Sequence, residues 1–115
     1  QTPTTTTTTE YPKLFQRVGD DIVKHRDLKS FRTQELANTA WAFAKAEVSH
    51  TGFFDKLRDH VLDNIESLEG GYYFAPREIS NLVWSFEKVA AVTSSSVDTR
   101  LFERVARHVV ALDDL

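Results

Sequence analysis

One segment of this chain is written twice. Reading forward from Phe31 and again from Phe74, 43 residues later, Glu35 meets Glu78, Leu36 meets Ile79, Asn38 meets Asn81, Trp41 meets Trp84, Phe43 meets Phe86 and Lys45 meets Lys88. The two copies hold the only tryptophans in the chain. A fixed-period echo of this length is the mark of a helical repeat array, in which no unit buries its apolar face alone and each leans on its neighbour. Within the first copy, Leu36, Ala40 and Phe43 fall at i, i+4, i+7, and Ala37, Trp41, Ala44 and Val48 form a second stripe beside them. A helix with two adjoining apolar stripes is contacted on two sides.

A second echo runs between the copies. Phe54, Leu57, His60 and Val61 recur as Phe102, Val105, His108 and Val109, 48 residues on, and Phe15, Val18 and Ile22 precede Phe54, Leu57 and Val61 by 39. Calling the tryptophan-bearing helix A and the other B, the layout is B, A, B, A, B. The expected fold is all-α: an α-solenoid of about two helix-turn-helix repeats plus a leading helix, with helices near residues 12–28, 33–47, 52–68, 76–89 and 98–112. Pro12 and Pro76 suit first helical turns, Thr33 reads as a cap, and Gly70 and Gly71 suit a helix end. Residues 1–10, with threonine at every position from Thr4 to Thr9, read as a disordered tail or linker, leaving 11–115 as one repeat domain. A β-strand is the other reading of threonine-rich sequence, but no apolar partner strand accompanies it. The last helix ends on Leu101, Val105, Val109, Val110 and Leu112, an apolar stripe rather than a polar cap, so a protein partner is expected to cover the open repeat ends.

Composition narrows the functional classes. There is no cysteine, which excludes disulfides, thiolate metal sites and cysteine nucleophiles. No apolar run approaches the roughly 20 residues a membrane helix needs, and neither end reads as a signal peptide, so a soluble or peripheral protein without membrane insertion is expected. Methionine is absent and the first residue is glutamine, as in a processed or excised piece. A net charge of −3 and an isoelectric point near 5.8 give no global basic footprint, so any RNA surface must be local. The chain has no glycine-rich phosphate loop, zinc-binding histidine pair or nucleophile elbow. His60 and His108 fall one per B helix, too far apart to share a metal, and read as structural or solvated. No enzyme, cofactor, metal or small-molecule substrate is expected.

The doubled segment carries a resemblance. Phe31, followed by Gln34-Glu35-Leu36-Ala37-Asn38-Thr39-Ala40-Trp41-Ala42-Phe43-Ala44-Lys45, is similar to the Phe-x-Pro-Gln-x-Leu-Ala-Asn-x-Leu-Trp-Ala-Leu-Ala-Lys pattern of octotricopeptide repeats. The second copy, Phe74-Ala75-Pro76-Arg77-Glu78-Ile79-Ser80-Asn81-Leu82-Val83-Trp84-Ser85-Phe86, supplies the proline that the first lacks. FAST-kinase-like and RAP-domain proteins share the same look. The resemblance implies an RNA-binding α-solenoid of a plastid or mitochondrion, acting on RNA maturation, stability or translation. The alternative is a non-catalytic interaction subunit of a larger organellar complex that keeps the repeat fold without RNA.

The candidate contact surface is a line repeated between copies: Gln34, Asn38, Ala42 and Lys45 on the first A helix, and Arg77, Asn81, Ser85 and Lys88 on the second. At i, i+4, i+8 and i+11 these positions share one side of each helix, and in a stack they form parallel rungs suited to single-stranded RNA. Amide and guanidinium groups would meet base edges, with Arg32, Lys45 and Lys88 on phosphates. The plainer role for Asn38 and Asn81 is bracing a loop carbonyl, and for Lys45 and Lys88 a solvated helix end. Trp41 and Trp84 could stack on bases, but they fall in the apolar stripe, so packing in the inter-repeat core is expected. Tyr72 and Tyr73, in a glycine-flanked loop, suit a stacking platform or partner anchor, or fold back over helix ends.

Overall fold

The computed structural model describes residues 3–65, 74–93 and 99–113. Among them are five α-helices and no strand: α1 (Pro3–His25), α2 (Thr33–Lys45), α3 (Thr51–Asn64), α4 (Pro76–Thr93) and α5 (Thr99–Asp113), with a 3₁₀ turn at Leu28–Ser30. Number and order agree with the sequence reading, while several ends differ. The threonine run expected as a disordered tail lies within α1, and Pro12 sits inside that helix rather than at its start. Proline's fixed φ is helical, so the helix passes through it and forgoes one backbone hydrogen bond. Thr33 is the first residue of α2 and not its cap. The preceding Arg32 is extended, and its backbone N–H donates to the Glu35 carboxylate at 2.8 Å. In α4 the Ala75 N–H donates to Glu78 at 2.8 Å, so both copies close their first turn in the same way. The third helix is described to Asn64, and residues 66–68 of its expected span lie outside the described residues.

Each helix packs chiefly on the one two places along the chain. The closest pairing is α2 with α4, and α3 lies between α1 and α5. The A helices form one layer and the B helices the other, in a body of 55 × 28 × 22 Å. Its radius of gyration, 15.1 Å, exceeds the value of about 13 Å that an equant domain of this length would have. The molecule is elongated.

Aromatic rings fill the space between the layers, and they too repeat. Phe15 of α1 meets Phe43 of α2 edge to face at 4.9 Å, and Phe54 of α3 meets Phe86 of α4 edge to face at 5.6 Å. Phe43 also stacks on Phe53 at 4.8 Å, which places it at the centre of the core with Leu36, Leu57 and Val61. A third recurring contact binds the B layer. Lys56 of α3 donates to the carbonyls of Ile22, Val23 and Arg26 at the end of α1, and Arg104 of α5 donates to Leu62 O at the end of α3, at 2.8 Å. Lys56 and Arg104 are equivalent across the 48-residue offset, and Val23 and Leu62 across the 39-residue one. Each cation stands at the negative pole of the preceding helix and donates to carbonyls of its last turn.

The turn into α3 is fixed by His50. Its Nδ1 accepts the Phe53 N–H at 3.0 Å, so Nε2 carries the proton and donates to Asp20 of α1 at 2.8 Å. Gly19 makes room for this ring, since a Cβ there would lie 2.3 Å from His50 Cδ2. At the end of α2, Glu47 takes the left-handed conformation (φ 59°) and the Val48 N–H reaches back to Phe43 O at 2.9 Å, turning the chain toward α3.

Candidate nucleic-acid interface

The line of rungs expected from the sequence splits between two environments. On α2, Gln34, Asn38 and Lys45 are exposed, as is Arg32 just before the helix, and Ala42 is half-buried. On α4 only Arg77 is exposed. Asn81 is half-buried, and Ser85 has no accessible surface and donates its hydroxyl to Asn81 O at 2.6 Å. Lys88 is half-buried and pairs with Glu47 of α2 at 3.6 Å. Ser85 is therefore not a surface rung. The physical reason is the close approach of the A helices: Ala37, Ala40 and Ala44 are wholly buried on α2, and the matching seam on α4 must be equally small. Tyr72 and Tyr73 lie outside the described residues.

That same narrow seam has no room for an indole. Trp41 and Trp84, expected in the inter-repeat core, stand at its rim, 43% and 39% exposed. Their ring centroids are 6.3 Å apart and their planes tilted by 35°, so the tryptophans of successive A helices lie side by side on one surface. The Lys45 ammonium stands 5.6 Å from the Trp41 ring centroid, on the same helix one turn away. The sequence held a signal for this placement. Asn38-x-x-Trp41-x-x-x-Lys45 and Asn81-x-x-Trp84-x-x-x-Lys88 set each indole between polar positions at i−3 and i+4, on the polar side of the helix.

The exposed ridge on the A layer thus comprises Arg32, Gln34, Asn38 and Lys45 from the first copy, Arg77 from the second, and the two indoles between them. It offers π faces, an amide pair and three cations, groups suited to stacking and to noncovalent polar contact.

The histidines are occupied in the structure. Buried His108 donates from Nε2 to Phe74 O at 2.9 Å, tying α5 to the start of α4. His60, also buried, lies edge-on to Phe74, and burial holds its imidazole below the ordinary value of 6.5. An open groove of about 680 Å³ between α3 and α5 is lined by Asp59, Leu62, Asp63, Arg100, Glu103 and Arg104, charges of both signs around one leucine. Among the described residues no group of three His, Asp or Glu side chains is placed to hold a metal, and no helix is long and apolar enough to cross a membrane. Compared with family models, curated proteins and solved structures, the chain finds no significant match.

Proposed function

We propose that this chain is a non-catalytic RNA-binding segment of an α-solenoid in organellar gene expression. It holds single-stranded RNA by stacking bases on Trp41 and Trp84 and by placing phosphates near Lys45, Arg77 and Arg32. The observation that carries this reading is the half-exposed indole pair with an ammonium beside it. Burying tryptophan is among the largest apolar gains a small domain has, yet both copies leave theirs at the surface, where every base offers a π face to stack on. The solenoid reading draws on the recurring contacts within and between the layers. The organellar setting draws on the doubled sequence pattern alone.

Because these are the only tryptophans, intrinsic fluorescence reports directly on the site. Titration with a short single-stranded RNA at low salt is expected to quench the emission. Affinity should fall as salt rises, with a log–log slope of about −1.4 if two phosphates are neutralised. Absence of quenching and of any retention at low salt would refute the reading.

A second reading, a repeat module covered by protein, is favoured by apolar side chains at both ends of the stack. Leu14 and Val18 are exposed on α1, and Val109 and Val110 on α5. Its first test is whether a fluorescent reporter on these helices is shielded in a native particle and unshielded in the isolated chain.

A further inference from the structure

We propose that the indole pair selects single strands whose neighbouring bases come apart at little cost, so that oligouridine is preferred over oligoadenosine. This inference rests on the RNA reading and names the class of strand within it.

The spacing of the two rings carries the inference. Neighbouring bases in a stacked strand lie parallel and about 3.4 Å apart. Trp41 and Trp84 stand 6.3 Å apart, centroid to centroid, with their planes tilted by 35°. Two bases that stayed stacked on one another between the rings would need those rings parallel and three such steps apart, about 10 Å. A single base entering between them needs two steps, about 6.8 Å, but it parts from both of its neighbours. Two successive bases lying one on each ring must separate from one another by roughly the ring spacing. Both ways of engaging the two indoles break the strand's own stack.

The rings are not free to rearrange around an intact stack. They stand on α2 and α4, whose approach is set by Ala37, Ala40 and Ala44 on one side and Ser85 on the other, all without accessible surface. Lys88 of α4 pairs with Glu47, just past the end of α2, at 3.6 Å across the same seam. Each tryptophan is also more than half covered. The pair spans a junction inside the chain, so its spacing does not depend on what precedes α1 or follows α5.

A lone tryptophan makes no such demand, since one ring can stack on the last base of an unbroken run. Two rings at this spacing impose on each strand the loss of its own stacking. That loss is large for adenine runs, whose two-ring bases overlap their neighbours, and small for uridine runs, whose single rings overlap little. A preference of this kind comes from stacking strength and strand flexibility and needs no reading of base edges. The opposing effect is that adenine covers more of an indole than uracil does. Mononucleotides, which have no neighbour to leave, measure that effect alone.

The test is a tryptophan-fluorescence titration of the full chain at one low salt concentration, with oligouridine and oligoadenosine of equal length and with UMP and AMP. The quantity read is the ratio of the two strand affinities divided by the ratio of the two mononucleotide affinities. In the wild type it should favour uridine about three- to tenfold, the equivalent of one stacking step of about 0.6–1.4 kcal/mol. In Trp84→Ala, which keeps Trp41 as platform and reporter, it should fall to about one while both strands bind more weakly. Trp84→Leu keeps an apolar side chain without a π face and should behave alike; it takes the place of the alanine variant if that one loses helicity by circular dichroism. A wild-type value of one or below, with both strands quenching, overturns the selection and leaves RNA binding standing. So does a uridine preference that survives unchanged in the Trp84 variants, since it would then belong to another group. Failure of every strand to bind removes the RNA reading and this inference with it.

Discussion

Substituting Gly19 tests the packing of α1 on α3 at one atom. A methyl at this position would stand 2.3 Å from His50 Cδ2 and 2.7 Å from Cγ and Nε2, all in one ring. The ring cannot yield cheaply. It is buried, its Nδ1 holds the Phe53 N–H, its Nε2 holds Asp20, and its edge packs on Phe43. Moving it costs about 1–3 kcal/mol in overpacking, and leaving the buried Phe53 amide without an acceptor costs about 1–3 kcal/mol more. Against this, alanine gains about 1 kcal/mol over glycine in a helix interior. The net expectation for Gly19→Ala is a loss of roughly 1–5 kcal/mol, read as a lower urea midpoint with an unchanged slope. The sign should reverse in a His50→Ala background, where the ring is gone and the alanine stabilises by about 0.5–1 kcal/mol. If Gly19→Ala stabilises the wild type, or if the two substitutions are additive, the ring does not sit where the structure puts it.

The remaining predictions concern the seam, the clasp and the buried imidazole. Ser85→Glu should destabilise by about 3 kcal/mol or more, because it buries an unpaired carboxylate in the seam. Its equivalent Ala42→Glu should cost less than about 1 kcal/mol, since that edge of α2 is uncovered, and paired thermal melts give the comparison. Lys56→Met keeps the aliphatic stem and should cost about 1–3 kcal/mol by leaving the α1 carbonyls without their donor, measurable by denaturant titration. For His60, the folded-state value is lowered, so below pH 6.5 the unfolded chain takes up a proton that the folded chain resists. Its contribution to stability is therefore fully present above pH 6.5 and declines as pH falls through the window beneath. His60→Gln should flatten that slope in urea titrations across roughly pH 5 to 7.5.

The repeat was legible because packing writes itself into periodicity. Phe15 matches Phe54 and Phe43 matches Phe86 because each pair fills equivalent space, and the two offsets that align them also set the helix order. Helix ends were less legible. Arg32 rather than Thr33 precedes α2 because Glu35 turns back to the Arg32 amide, a bond that a cap-preference reading places one residue too late. Pro12 read as a start because proline favours first turns, yet its φ also fits a helix interior.

The line of rungs was read as one exposed surface, which describes Gln34, Asn38, Lys45 and Arg77 but not Ser85. Equivalent positions were taken to have equivalent surroundings, but the Ser85 side of α4 lies against α2, while the matching Ala42 side of α2 has no A helix against it among the described residues, so Ser85 is buried where Ala42 is half-covered. The tryptophans were assigned inward because they fall in an apolar stripe, whereas the seam is lined by alanines and admits no ring. That constraint belongs to two helices at once, and neither helix states it alone.

The most direct measurement is a fluorescence titration comparing a short RNA with a strand of the same length and charge that lacks its bases. Stacking on Trp41 and Trp84 predicts quenching by the base-bearing strand, and binding tighter by about 1–3 kcal/mol for each stacked base. Equal affinity for both strands, with no change in emission, would show that the indole pair is not a base platform and would contradict the proposed function.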